Sequence, residues 1–164
     1  MAASAGTWSF TEDDYSTITH SLQRFLVDTN ARSALLVDRG GQLVITVGEQ
    51  PTFDATAFAT LTAADFSAND QLAKLVGETD FSTLFHQGEK ESIYLADVAR
   101  RLILVVLFDS RTTLGLVRLR MKQAVHELTG LFDVIFSRGR DGEPARPNIL
   151  HGADDDEIDK LFNW

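Results

Sequence analysis

Residues 102–108 read LILVVLF, seven apolar side chains in unbroken succession. A strand with one wet face alternates apolar and polar residues. An uninterrupted run is expected of a strand buried on both faces, at the centre of a sheet. Such a strand needs cover above and below. It therefore predicts a three-layer arrangement, with helices on both sides of the sheet.

The rest of the chain supplies the parts. Thr11 is placed to cap a helix, with Asp14 three residues on in the capping-box position. Tyr15, Ile18, Leu22, Phe25 and Leu26 then recur at helical spacing, which predicts a first helix over 11–29. In SALLVDRGGQLVITVG, two aliphatic runs flank Arg39-Gly40-Gly41 and predict a hairpin of strands 33–38 and 42–48. Strands near 81–87, 91–97 and 101–109 follow, separated by turns short enough for antiparallel pairing. Val117, Met121, Ala124, Leu128, Leu131 and Ile135 mark a last helix beginning near Thr112-Thr113 and stopping after Ser137.

The second helix, 54–76 with Asp54 as its cap, is unusual. Ala57, Leu61, Ala64, Ala68, Leu72 and Leu75 form one apolar face. Thr56, Thr60, Ala63, Ser67 and Asp70 form another that is small and almost uncharged. Solvated helix faces normally carry Lys, Glu and Arg. Small side chains admit another backbone or helix at close range, although alanine also occurs simply as a good helix former.

The expected fold is thus α/β, in the order αββαβββα. A five-stranded antiparallel sheet carries one helix on one face and two on the other. Residues 1–10 read as a flexible N-terminus and 11–138 as the domain. The Pro-, Gly- and Arg-containing segment 139–153 reads as a flexible linker, and 154–164 as a short acidic motif. In that motif, DDDEIDKLFNW, Ile158, Leu161 and Phe162 fall on one side of a potential short helix, with Trp164 beyond.

Composition narrows the function. The formal net charge of −9 opposes nucleic acid, and the arginines are scattered. No apolar run is long enough to span a bilayer, the N-terminus lacks a signal-peptide pattern, and there is no cysteine. The reading is of a soluble cytoplasmic protein. No phosphate loop, dinucleotide fingerprint, EF-hand loop or serine-nucleophile motif is present, and His20, His86, His126 and His151 lack metal spacing. No catalytic residue, cofactor or metal is therefore expected, and a binding module is favoured.

The element order, together with LLVDRGGQLV (35–44), LAKLVGE (72–78), FHQGEKESIY (85–94), LVVLFDSRTTLGLVRLRMK (104–122) and DDDEIDKLF (154–162), resembles the roadblock / dynein-light-chain superfamily. The likeness is to its MglB-type branch of bacterial gliding-motility regulators. It covers about 12–138 and the tail, and departs from the family pattern at Asp65-Phe66.

The resemblance implies a homodimer that activates a Ras-like small GTPase of the MglA type. Two subunits would engage one GTPase, in control of polarity and motility, and would reach a cell pole through partners. Activation would come from repositioning the GTPase's own switch and catalytic residues, with no arginine finger supplied. The implied GTPase face is Thr60, Ala63, Ala64, Ser67, Ala68, Asp70 and Gln71. The implied dimer contacts are Leu72, Leu75, Phe81, Leu84 and Phe85. Ile158, Leu161, Phe162 and Trp164 would form a C-terminal segment that docks on the GTPase, adds affinity and promotes nucleotide exchange. The alternative is a non-catalytic dimeric scaffold in a signalling or motor complex.

Overall fold

The computed structural model describes residues 9–141. Its elements are α1 (Glu12–Thr29), β1 (Ser33–Asp38), β2 (Leu43–Gly48), α2 (Ala55–Leu75), β3 (Thr83–Gln87), β4 (Ser92–Val98), β5 (Leu102–Phe108) and α3 (Leu114–Asp141). All five strands form one antiparallel sheet in the order β2-β1-β5-β4-β3. The apolar run 102–108 is the central strand, as its composition requires.

Both faces of the central strands are covered, and side-chain alternation divides the core in two. Ala34 and Leu36 of β1, Tyr94, Ala96 and Val98 of β4, and Leu102, Leu104, Val106 and Phe108 of β5 meet α1 and α3. Leu35, Val37, Leu95, Ile103 and Val105 point the other way, to Ala59 and Phe66 of α2. The sheet thus carries two helices on one face and one on the other.

The local structure follows from the sequence. The capping box closes α1: Thr11 Oγ1 accepts from Asp14 N at 3.1 Å, and Asp14 Oδ2 accepts from Thr11 N at 3.0 Å. Asn30 ends the helix at φ 57°. The β4–β5 turn places Ala99 and Arg100 at φ 53° and 60°, with Arg101 N donating to Val98 O. Both central residues therefore lie in the left-handed region, as a type I′ turn requires. Asp97 Oδ2 accepts from Arg100 N and steadies a turn built without glycine.

α1 and α3 run antiparallel, with Arg24 meeting Glu127 at 2.7 Å and Arg138 meeting Asp14 at 2.5 Å. Two boundaries differ from the sequence reading. α3 continues to Asp141, so 139–141 belong to the helix and not to the linker. Gly139 weakens a helix without stopping it. Phe10, read as part of a flexible N-terminus, packs edge-on against Phe132 with ring centroids 5.7 Å apart. Residues 142–164, and with them Ile158, Leu161, Phe162 and Trp164, lie outside the described residues.

Candidate interaction site

α2 begins where Asp54 Oδ1 accepts from the backbone N–H groups of Thr56 and Ala57 at 3.0 and 3.1 Å. Its buried side is Ala59, Thr62, Ala63, Phe66, Asn69 and Ala73. The apolar face Ala57-Leu61-Ala64-Ala68-Leu72-Leu75 is on the opposite side of the helix. Leu61 is 69% exposed, Leu72 57%, Leu75 83% and the adjoining Val76 68%. Both sides of this helix are apolar, and the side richer in leucine is the one turned outward.

That outward stripe leaves four large apolar side chains exposed. Burying a leucine fully contributes roughly 1.5–3 kcal/mol, and apolar side chains gathered in one strip on a surface mark a contact site.

At Thr60 and Ala63 the small face does admit a backbone at close range, as its composition suggested. The backbone it admits is the chain's own β1–β2 turn. Gly41 sits at φ 92°, and a Cβ there would lie 3.3 Å from Thr60 Cα and 3.7 Å from Ala63 Cβ. Ala63, 9% exposed, is enclosed beneath that turn and offers no side chain to a partner. Asp70 is also engaged, accepting from Arg39 Nη1 at 2.6 Å. Of the residues assigned to a GTPase face, Thr60, Ser67 and Gln71 are exposed beside the leucine stripe, and Ala64 and Ala68 lie within it.

Arg39 is a junction that sequence reasoning missed. From the end of β1 it binds Asp70 of α2 and Asp97 of β4, and its guanidinium lies 4.7 Å above the Phe66 ring. Burial alone would lower its pKa. The hydrogen bonds it donates to Asp97 and Asp70 outweigh that and raise it above the ordinary arginine value. Phe66, at the departure from the family pattern, is fully buried and fills the space between α2 and the sheet. Its neighbour Asp65 reaches His86 Nε2 at 2.5 Å and links α2 to β3.

The residues assigned to a dimer edge divide between layers. Phe85 stacks on Phe108 with centroids 6.1 Å apart, on the α1/α3 side. Leu84 packs with the α2-side core. Phe81 precedes β3 and receives Asn69 Nδ2 on its carbonyl at 3.0 Å. Among the described residues β3 has one paired neighbour, β4, so its other edge presents unpaired backbone groups. Leu72 and Leu75 belong to the exposed stripe.

A charged network closes one end of the sheet. Glu49 is held by Arg32 at 2.7 Å and by Arg111 at 3.2 Å. Those hydrogen bonds hold its carboxyl below the usual range. Asp109 is lowered in the same way by the Arg111 side chain and backbone. Among the described residues there is no cluster of three or more His, Cys, Asp or Glu able to hold a metal ion. No described helix is long and apolar enough to cross a membrane.

Comparison with known proteins fits this geometry. Residues 18–108 match the family model described as Roadblock/LC7 domain. The chain is 45% identical to Myxococcus xanthus MglB, covering 73% of this chain and 98% of that one at a TM-score of 0.70. It is 31% identical to the gliding protein MglB of Thermus thermophilus, over 79% of this chain and 98% of that one, with a TM-score of 0.73. An MglB solved in a tetrameric arrangement is 30% identical over 80% of this chain and 98% of its own, at 0.74. By matched family model, identity and shared fold, the chain belongs to the Roadblock/LC7 family, in its MglB-type branch.

Proposed function

We infer that this protein activates a Ras-like small GTPase of the MglA type and does so as a homodimer. The observation that carries the reading is its 45% identity to Myxococcus xanthus MglB over 98% of that chain. The outward leucine stripe of α2 supports it, because it is a ready surface for a second copy. The free edge of β3 lies on the same chain and adds a second surface for pairing.

On this reading the chain contributes shape and no reacting group. GTP hydrolysis in a Ras-like fold is limited by positioning and by stabilisation of charge on the transferring phosphoryl group. A partner that holds the switch loops in place lowers the barrier without donating an arginine. Thr60, Ala64, Ser67, Ala68 and Gln71 supply a low-relief surface for such docking. Ile158, Leu161, Phe162 and Trp164 supply a second, tethered contact, which adds affinity through local concentration.

The deciding experiment is GTP turnover by the MglA-type GTPase of the same organism, with and without this protein. Acceleration that grows with protein concentration is expected. Binding with unchanged turnover would overturn activation and leave a dimeric scaffold. The oligomeric state, read by light scattering, is expected to be dimeric.

A further inference from the structure

The α1/α3 side of the sheet is unevenly covered. α1 lies toward β2 and β1, and α3 toward β4. β3 extends beyond α3, and a groove of about 510 Å³ runs between them. Tyr94, Ala96, Met121 and Val125 form its apolar wall, and Arg118 and Lys122 rise at its rim. Arg118 and Lys122 are exposed and make no ion pair among the described residues. Asp97, which also borders the groove, is already bound by Arg39. In a chain of net charge −9, two unpaired cations beside an apolar trough call for an acidic, apolar occupant.

The chain carries such a segment. Residues 154–164 hold five acids against one lysine, interleaved with Ile158, Leu161, Phe162 and Trp164. Reach is sufficient. From Asp141 back to Lys122 along α3 is 19 residues, about 29 Å at a rise of ~1.5 Å each. The intervening 142–153, at ~3.3 Å per residue, extends to about 40 Å. We propose that the α3–β3 groove is a seat for this chain's own acidic segment 154–164, its carboxylates at Arg118 and Lys122 and its apolar side chains along Met121 and Val125. While seated, those apolar side chains are withheld from any other surface. The segment then exchanges between its own domain and a partner. The proposal does not depend on the GTPase reading, and its test contains no GTPase.

Because the chain has no cysteine, disulfide trapping is clean. The full-length pair Val125→Cys with Leu161→Cys is oxidised in a glutathione buffer beside a control pair, Val27→Cys with Leu161→Cys. Val27 is exposed on α1, which lies antiparallel to α3, so tether length is comparable. A cross-link forms only where Cβ atoms approach to about 4 Å. The groove pair is expected to close within single chains about tenfold faster than the control, the order of advantage a tethered seat provides. Adding Arg118→Glu and Lys122→Glu is expected to erase that advantage.

Equal rates for the two pairs would overturn the seat. Cross-links confined to pairs of chains would assign the groove to a second copy and overturn the intrachain form. A measurement free of engineered thiols serves as a check. In full-length Trp8→Phe, Trp164 is the sole tryptophan. It is expected to resist acrylamide quenching until Arg118 and Lys122 are reversed in charge. Quenching equal to that of a free 154–164 peptide would overturn the proposal.

Discussion

Arg39 Nη1 donates to Asp70 Oδ2 at 2.6 Å and so fastens the first hairpin to the second helix. The same guanidinium holds Asp97 of β4 and covers Phe66. Arg39→Ala removes the shared partner of two partly buried carboxylates and is expected to cost about 1–3 kcal/mol. Arg39→Lys retains the charge but cannot serve both acids in one plane, so it should recover only part of the loss. Urea unfolding midpoints of the two variants check this.

The exposed stripe of α2 gives the opposite expectation. Leu72→Glu lies on a surface that contributes nothing to the protomer's own core. It should leave unfolding of the isolated protomer within about 0.5 kcal/mol of wild type. It should also dissociate the dimer and abolish acceleration of GTP hydrolysis. Light scattering and turnover, measured together, read both consequences. Ala63→Arg is expected to fail differently, by forcing a large charged side chain beneath the Gly41 turn and destabilising the domain.

Two glycines should respond with opposite signs. Gly48 lies at φ 95°, and a Cβ there would meet Arg32 O at 2.6 Å and Leu26 Cδ1 at 2.7 Å. Gly48→Ala is expected to destabilise by more than about 1 kcal/mol, combining backbone strain with a clash. Gly130 is exposed within α3, and a Cβ there meets nothing within 4 Å. Gly130→Ala should stabilise by about 0.5–1 kcal/mol. Thermal midpoints distinguish the two.

The acid limb of stability has a defined sign. Glu49 and Asp109 are both lowered in the folded state by hydrogen bonds from arginine. Asp14 is lowered as well: its burial acts in the opposite direction but is outweighed by its bonds from Thr11 and Arg138. A carboxyl whose folded pKa is depressed adds stability above its unfolded pKa and loses it as pH falls through the folded one. Stability should therefore be level near neutrality and decline as pH drops below about 4. Glu49→Gln should be less stable than wild type at pH 7 and indistinguishable from it at the acid end. Urea midpoints at neutral and acid pH test this.

Most of the fold was legible because its signals were local or periodic. The run 102–108 named the central strand, Thr11 and Asp14 fixed the first helix start, and Arg39-Gly40-Gly41 located the hairpin. α2 was harder to orient. Its stripes 57/61/64/68/72/75 and 59/62/66/69/73 share one period, and counting leucines favours the first. Phe66 decides for the second, since one phenylalanine fills the inner layer that several alanines leave shallow. Arg39 was illegible for a different reason. Its partners lie 31 and 58 residues away, and no local pattern announces a contact made by three converging elements. The outward stripe of α2 is periodic, but periodicity does not say what covers it, which is why the resemblance had to suggest the partners.

Five strands about 4.8 Å apart make a sheet roughly 24 Å wide, whereas a helix with its side chains is about 10 Å across. Two helices nearly roof one side of this sheet. On the other, among the described residues, α2 alone roofs less than half. The described domain is thus a lopsided sandwich whose less covered side is decided by its helix count before any particular side chain is considered. A mutation that enlarged a residue there would change the shape of the gap. Among the described residues no helix is left over to close it.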